Sequence, residues 1–446
     1  MNESPNRLNR RRFLTATAAT GGSLILSQSS IAQSQASADK GIRFALIGTG
    51  AQGQALLNTC MKTEGLQCAA ICDIWKDYNL DRASRILAGY SQEHNAYADY
   101  REMLEKEKDL DAVMIATPDF CHADQAVTCL EAGLHVYCES PMSNTIVGAR
   151  RMLKAAKDTG KLLQIGCQRR SNPRYQHAYL HLINETKLLG EITAVNAQWN
   201  RPVQQSRGWP RRAPVPDDVL KKHGYQSMAQ FRNWRWYREL GGGPLAEFGS
   251  HQIDVLNWFM ETPPKSVTAS GGTVYYADKT HEWPDTVMAI YEYDRGEKTI
   301  RAFYQTINSN SSFGYYENFM GDEGSLQLSE AGGRAKAYRE PAAPDWDRWV
   351  RIGYLEAPVK KEEKEDTESI LDVQESVEPP SYDLPVTFND PVHKPHLDNF
   401  FHAVRGEEQL NLPADTAFAS IVTVMKAYEA IDGGQKLGLT ADDFQV

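Results

Sequence analysis

The sequence predicts an α/β protein in which an N-terminal doubly wound parallel sheet precedes an α+β domain built on an open, mostly antiparallel sheet. Three observations carry this. Between Gly41 and about Lys161, short continuous apolar runs alternate with helical stretches. From about Gly190 to Leu328 the apolar runs lengthen and partly alternate with polar residues. Directly after the first apolar run stands a glycine-rich turn, GTGAQG at 48–53. Continuous apolar strands spaced by helices imply a parallel sheet covered on both faces, whereas alternation leaves one face free for other contacts.

IRFALIG is read as the first buried strand, followed by GLQCAAICD, LDAVMIAT, LHVYCE and LLQIGC. Helical runs lie between them. Two of these, DQAVTCLEAG and TIVGARRMLKAAKDTG, stop at glycine, the residue that most readily closes a helix. This unit spans 41–165. The second unit, 166–385, holds the long strands ITAVNAQWN, PKSVTASGGTVYY, TVMAIYEYD and KTIRAFYQTI, with a helix embedded over Leu245–Met260. Its last part, 331–385, is rich in proline and charge, including KKEEKEDTES, and is expected as a solvated surface excursion. Residues 386–446 return to helix and are expected to pack back on the core.

The first 38 residues are set apart. Arg10, Arg11, Arg12, Phe13 and Leu14 form a twin-arginine pattern, a mildly apolar run follows from Thr15 to Leu26, and Ala36-Ser37-Ala38 supplies the small residues a signal peptidase needs. The run is too short and too rich in Ala, Thr and Gly to span a bilayer. Export to the periplasm is therefore expected, with no membrane span elsewhere. The 446-residue chain carries a net charge of −10, and loss of the leader, with its four Arg and one Glu, makes it more negative. Such acidity argues against nucleic acid and anionic membranes as partners. On net charge alone, a neutral or cationic small substrate is expected. The seven cysteines all lie between Cys60 and Cys167. Odd in number and without a C-x-x-C pair, they read as buried thiols, and no metal site is expected.

GTGAQG is a G-x-G-x-x-G pattern after a strand and opening a helix, and Asp73 ends the next strand 20 residues beyond Gly53. Gly48 permits the tight turn, Gly50 lets the backbone approach a pyrophosphate, and Gly53 allows close helix packing. Ala51 and Gln52 begin the helix whose N-terminus faces the anion, while Asp73 accepts hydrogen bonds from a ribose diol. An acidic residue there repels a 2′-phosphate, and Ile74 and Trp75 bring no arginine, so NAD is favoured over NADP. Thr117, Pro118 and His122 in ATPDFCH, and Glu139 in CESP, follow later strands where ligands of parallel sheets bind. His122 fits either a core position or a cofactor contact.

With these residues in hand, the chain resembles the Gfo/Idh/MocA family, the glucose–fructose oxidoreductase and inositol dehydrogenase relatives. The marks are GTGAQG, ATPDFCH, CESPM, QIGCQRRSNP and GGGPLAEFGSHQIDVLNWF, covering about residues 41–330 plus the C-terminal helices. The resemblance implies a Rossmann domain and an open-sheet domain that holds a sugar or cyclitol over the nicotinamide. It also implies homo-oligomers built through that sheet, and catalysis by the lysine of an E-K-P motif with an Asp-x-x-x-His pair. This chain departs twice: Ser140 stands at the lysine position and Glu247 replaces the aspartate. His251 is kept.

Glu247 and His251 are four residues apart on one helix face, with Asp254 a turn further on. Oxidising an alcohol requires a base for the hydroxyl proton, and an imidazole oriented by a carboxylate suits that task. His251 is thus the expected base and Glu247 its orienting partner, with Ser140 hydrogen-bonding the substrate or the ribose. Arg169, Arg170, Arg201 and Arg235 are candidates to replace the missing ammonium. Trp199, Trp209, Trp234, Trp236 and Tyr237 are interleaved with Asn200, Arg201 and Arg235, a density that favours a carbohydrate site. The expected substrate contacts are Arg170, Trp199, Arg201, Arg235, Trp236, Tyr237 and Asp254.

Three readings stay open. One is an exported NAD-dependent oxidoreductase of a sugar, cyclitol or derivative. A second is an NAD-assisted glycosidase, in which transient oxidation acidifies a neighbouring C–H and the cofactor is recycled in place. A third is a non-catalytic sugar- or NAD-binding protein in which Ser140 marks lost chemistry.

Overall fold

β1 (Ile42–Ile47), β2 (Leu66–Cys72), β3 (Asn95–Tyr97), β4 (Ala112–Ile115), β5 (His135–Cys138) and β6 (Leu163–Ile165) form one sheet in the order β3-β2-β1-β4-β5-β6. Every pairing in it is parallel. Phe44 and Leu46 point into a cluster with Leu56, Leu57, Phe400 and Phe401, while Ala45 and Ile47 face the other layer. Burial on both faces is why the strands read as unbroken apolar runs. The sequence shows five of the six strands. β3 escapes it because the strand is three residues long and Asn95 and Ala96 are exposed.

The computed structural model describes residues 41–276, 280–331, 333–358 and 379–446. The predicted leader at 1–38 and the KKEEKEDTES run lie outside the described residues.

The second sheet contains β7 (Ile192–Asn200), β8 (Ser266–Gly272), β9 (Thr286–Arg295), β10 (Lys298–Ile307), β11 (Tyr315–Gly321), β12 (Gly324–Leu328), β13 (Lys336–Arg339), β14 (Ser381–Asp383) and β15 (Leu437–Gly438). Their order is β14-β13-β12-β11-β7-β10-β9-β8-β15. β13 and β14 fall within 331–385, so the described part of that stretch is corrected from a surface excursion to an extension of the sheet, with Ala337, Trp346 and Tyr382 buried. All pairings are antiparallel except β7 with β10, which is parallel. A parallel pair requires a long crossover, and the segment leaving β7 supplies it. That crossover carries Arg201, the WRWY segment at 234–237 and the helix bearing His251. On β9, Val287, Ala289, Tyr291 and Tyr293 are buried while Met288 and Ile290 are exposed, so one face of the sheet packs and the other stays open.

The single helix expected over Leu245–Met260 opens as a π-helical turn, Leu245–Gly249, and continues as an α-helix over Ser250–Met260. The C-terminal helices tie the two sheets together. Lys394–Val404 brings Phe400 and Phe401 onto β1, with the Phe44 and Phe401 rings 5.5 Å apart. Ala414–Gly433 reaches the crossover, where the Tyr428 hydroxyl accepts from the Leu245 N–H at 2.9 Å. Residues 41–446 therefore behave as one compact unit.

Candidate active site

The cofactor side begins where β1 ends. Gly48 has φ of +90°, and a Cβ there would lie 2.7 Å from the Ala116 carbonyl carbon. A Cβ on Gly53 would stand 2.0 Å from the Gly48 carbonyl oxygen. Above Gly50, by contrast, the nearest atom is Asn79 Nδ2 at 4.0 Å, which leaves room for a ligand. The Ala51–Cys60 helix starting there has no side-chain cap, so its first N–H groups are available to an anion. Asp73 accepts from the Thr49 N–H at 2.8 Å, the Thr49 hydroxyl at 3.2 Å and Asn79 Nδ2 at 3.2 Å, all on Oδ2. Oδ1 receives the Trp75 N–H at 2.8 Å and keeps acceptor capacity for a ribose hydroxyl. These groups fit a dinucleotide.

The neighbouring strand ends are more occupied than the sequence suggests. The Gln52 side-chain amide donates to Glu139 at 3.1 Å and lies 3.1 Å from His393 Nε2. Glu139 is buried and also accepts from the Ser140 N–H at 3.2 Å; burial raises its pKa. The Thr117 hydroxyl donates to Gln125 at 2.6 Å, and Pro118 caps the helix Asp119–Glu131. His122 is corrected from a cofactor contact to an internal bracket. Both ring nitrogens lie 2.9 Å from backbone carbonyls, of Pro141 and of Thr117, and the ring is buried.

Ser140 Oγ lies 2.9 Å from His251 Nε2. This joins the end of the parallel sheet to the crossover helix, a contact no local pattern marks. The Ser140 hydroxyl keeps acceptor capacity for a substrate or ribose hydroxyl. Glu247 does not orient His251, because its Oε1 is held by Arg235 Nε at 2.6 Å with Arg201 Nη1 at 3.9 Å. The physical reason is the wider π turn, which breaks the α-helical stacking that residues four apart otherwise share. His251 Nδ1 is buried without a partner among the described residues. Burial, then the charge of Arg169 and the nearby His393 and His396, holds the His251 pKa well below the ordinary value. At neutral pH the imidazole is uncharged.

Arg169 is fully buried, pairs with Glu317, and donates from Nε to Glu330 at 3.1 Å. Its guanidinium lies 5.1 Å from the Trp199 ring centre, and its Nη2 has no partner among the described residues. Two carboxylates balance its charge, and the guanidinium still disfavours protonation of the nearby His251. Arg170 and Asp254 are corrected from substrate contacts to a structural pair. They bond twice, at 2.8 and 3.0 Å, and Ser420 adds a third donor to the buried carboxylate at 2.9 Å. A desolvated carboxylate needs those donors, and they commit the Nε edge of Arg170 to Asp254.

Beside Glu247 opens a cavity of about 70 Å³ whose lining includes Arg201, Arg207, Arg232, Arg235, Trp236 and His281. Trp199 stacks on Tyr315 at 4.8 Å and bridges the Phe248 ring, at 5.3 Å, to the His251 ring, at 6.0 Å. Phe248 also lines the cavity, so the cavity and the Ser140–His251 pair are neighbours. Tyr237 is corrected to a packing role: with Trp234 it lies against an apolar cluster around Trp75, Val215 and Leu220. Trp209 is exposed beside Pro214 and Val215, away from the cavity. Arg207, Arg232, His281 and His393 escaped the sequence reading. They are lone residues in loops and short helices, and no local pattern marks them.

Residues 42–167 match the oxidoreductase family's NAD-binding Rossmann fold, and residues 181–439 match that family's C-terminal alpha/beta domain. The chain belongs to the Gfo/Idh/MocA oxidoreductase family. An inositol 2-dehydrogenase/D-chiro-inositol 3-dehydrogenase of Shouchella clausii is 27% identical over 65% of this chain and 72% of its own length. A glycosyl hydrolase family 109 protein of Stenotrophomonas maltophilia is 30% identical over 65% of this chain and 68% of its length. A 4-carboxy-2-hydroxymuconate-6-semialdehyde dehydrogenase of Sphingobium is 28% identical over 43% of this chain, which spans 58% of that relative. The WlbA dehydrogenase of Bordetella pertussis, solved with NADH and UDP-GlcNAcA, has a TM-score of 0.64. It covers 90% of this Gfo/Idh/MocA chain and 100% of its own at 20% identity, which speaks to the fold alone. The family and the built turn agree on NAD as the cofactor. Among the described residues no helix is long and apolar enough to cross a membrane, and no group of three His, Cys, Asp or Glu could hold a metal ion.

Proposed function

We propose that this protein oxidises or reduces a secondary alcohol of a sugar, cyclitol or derivative, with Ser140 and His251 handling the proton. The 2.9 Å contact between Ser140 Oγ and His251 Nε2 carries this reading. It sets a neutral imidazole at the strand ends where the cofactor turn also lies. When bound, NAD exchanges a hydride with the carbinol carbon. The chain must then move the hydroxyl proton. Ser140 can accept a hydrogen bond from the substrate hydroxyl while donating its own to Nε2, so the proton passes along the serine to the imidazole. His251→Ala should lower turnover about 10²-fold or more, read as NADH formation on a panel of sugars and cyclitols. Unchanged turnover on any accepted substrate would sink the assignment.

The similarity to a family 109 glycosyl hydrolase favours a second reading, the NAD-assisted glycosidase. Release of p-nitrophenol from a nitrophenyl glycoside without net NADH, and its loss in His251→Ala, would select it. Export is a further part of the proposal. It rests on Arg10, Arg11 and Arg12, and their replacement by lysine should leave the protein in the cytoplasm of a fractionated cell. We also propose homo-oligomers through the open sheet face, where Met288 and Ile290 are 42% and 43% exposed; light scattering of Ile290→Lys against the parent tests it.

A further inference from the structure

Among the described residues, four arginines but only two carboxylates, Glu247 and Asp285, line the cavity beside the Ser140–His251 pair. Asp285 is satisfied by the chain itself. It accepts the N–H groups of Val274, Tyr275 and Tyr276 at 2.7–3.1 Å and the Thr286 hydroxyl at 3.1 Å. Glu247 is taken by Arg235, with Arg201 more distant. That leaves Arg207 and Arg232 without a carboxylate partner among the described residues. The Arg232 Nε donates to the Gly208 carbonyl at 3.0 Å, and its guanidinium lies 5.1 Å from the Trp75 ring centre. Desolvation, then the charge of Arg235 and, against the opposing Glu247, of Arg232 and Arg201, lowers the Arg207 pKa, so like charges face one another here. His281 adds no charge, because desolvation pushes its pKa down to about 4 between the rings of Trp236 and Tyr276.

A surplus of two positive charges in a small cavity is unfavourable until an anion enters. The cofactor does not provide that anion at this point, because no residue of the 48–53 turn lines the cavity. We propose that the substrate carries an oxyanion, a carboxylate, sulfate or phosphate, seated on Arg207 and Arg232 with Arg201 and Arg235 beside them. Guanidinium forks match such groups in two parallel hydrogen bonds. Phe248 lines the cavity and packs on Trp199, whose other ring neighbour is His251, so an anion at the arginines leaves the rest of the sugar directed toward His251. This inference rests on the reading of Ser140–His251 as the reacting pair. It reverses the neutral or cationic substrate expected from net charge, since the lining sets the local potential and the chain total does not.

Calorimetric titration of the NADH-loaded protein with D-glucuronate, D-glucose 6-sulfate, D-glucose 6-phosphate, D-glucose and myo-inositol tests it. At least one anionic probe should bind tenfold or more tightly than either neutral one, with affinity falling as salt rises; which one identifies the oxyanion. Arg207→Gln should weaken that probe about tenfold and Arg207→Gln/Arg232→Gln about 100-fold, with NADH affinity unchanged. Neutral sugars binding as tightly as all three anions, or an anion held equally by the double variant, would overturn the proposal. His251→Ala separates it from the functional reading, because the anion should still bind there while turnover is lost. Anion selectivity without turnover in the parent would remove the catalytic reading and leave the anion site standing.

Discussion

The two sides of the site are built in opposite ways. The cofactor side uses consecutive residues: Gly48, Gly50 and Gly53 lie in one turn, and Asp73 is fastened to that turn through Thr49. The side proposed for substrate gathers Arg201, Arg207, Arg232, Arg235, Trp236 and His281 from separate parts of one crossover. Steric necessity governs the first, where a single added carbon meets backbone. Charge governs the second, where arginines outnumber their carboxylate partners. One side therefore tolerates no change of shape, and the other should tolerate shape but not charge.

The largest expected effect breaks the cofactor side. Gly53→Ala puts a methyl 2.0 Å from the Gly48 carbonyl, which the turn can accept only by moving. NADH affinity, followed by fluorescence, should fall about 100-fold or more, and overpacking should cost about 1–3 kcal/mol in denaturant unfolding. Retained affinity would show that the turn is looser than its contacts imply.

Next comes the buried pair that holds neither ligand. Arg170→Met leaves Asp254 with Ser420 as its remaining donor, and removing one member of such a pair costs about 3–5 kcal/mol. The measurement is the urea midpoint. Substrate KM of the folded fraction should not rise, and a rise would return Arg170 to the substrate side. Asp73→Ala should weaken NAD about tenfold and narrow its advantage over NADP, because it removes the acceptor for the ribose and the repulsion of a 2′-phosphate together. Tighter NADP than NAD binding by the unmodified protein would reverse that assignment.

The smallest effect is a pH dependence with two opposed contributions. Burial pushes the His396 pKa down to about 4, so between that value and the unfolded histidine pKa near 6.5 the unfolded chain holds more protons. Stability should therefore fall as pH drops through this window. Burial pushes the Asp119 pKa up to about 7, against the Gly242 N–H and the Arg235 charge. Here the folded state holds the extra proton, so its contribution is lost as pH rises from about 4 through 7. Asp119→Asn keeps an acceptor for the Gly242 N–H, 2.9 Å away, and removes the charge. The melting temperature should rise at pH 8 and stay nearly constant at pH 4. Equal shifts at both pH values would mean that Asp119 does not titrate in this range.

The parallel sheet apart from β3, the long strands β7–β10, the NAD turn and the candidacy of Ser140 and His251 were legible in the residue order, because each depends on spacing within a short window, whereas β11–β15 were not. Strand periodicity, a helix-opening glycine motif and an acidic strand end are local, and no distant residue can erase them. The residue order also brought out the family, whose marks are local in the same sense. Only the tertiary structure decided what each polar side chain touches. Glu247 could not be assigned from its distance to His251, because a π turn changed their relation and two arginines from other segments claimed the carboxylate. Arg170 and Asp254 looked free until Ser420, from the C-terminal helix, closed their network. The arginine surplus was invisible for a related reason. Net charge sums the whole chain, whereas a ligand meets only the groups that the parallel β7–β10 crossover folds around one cavity.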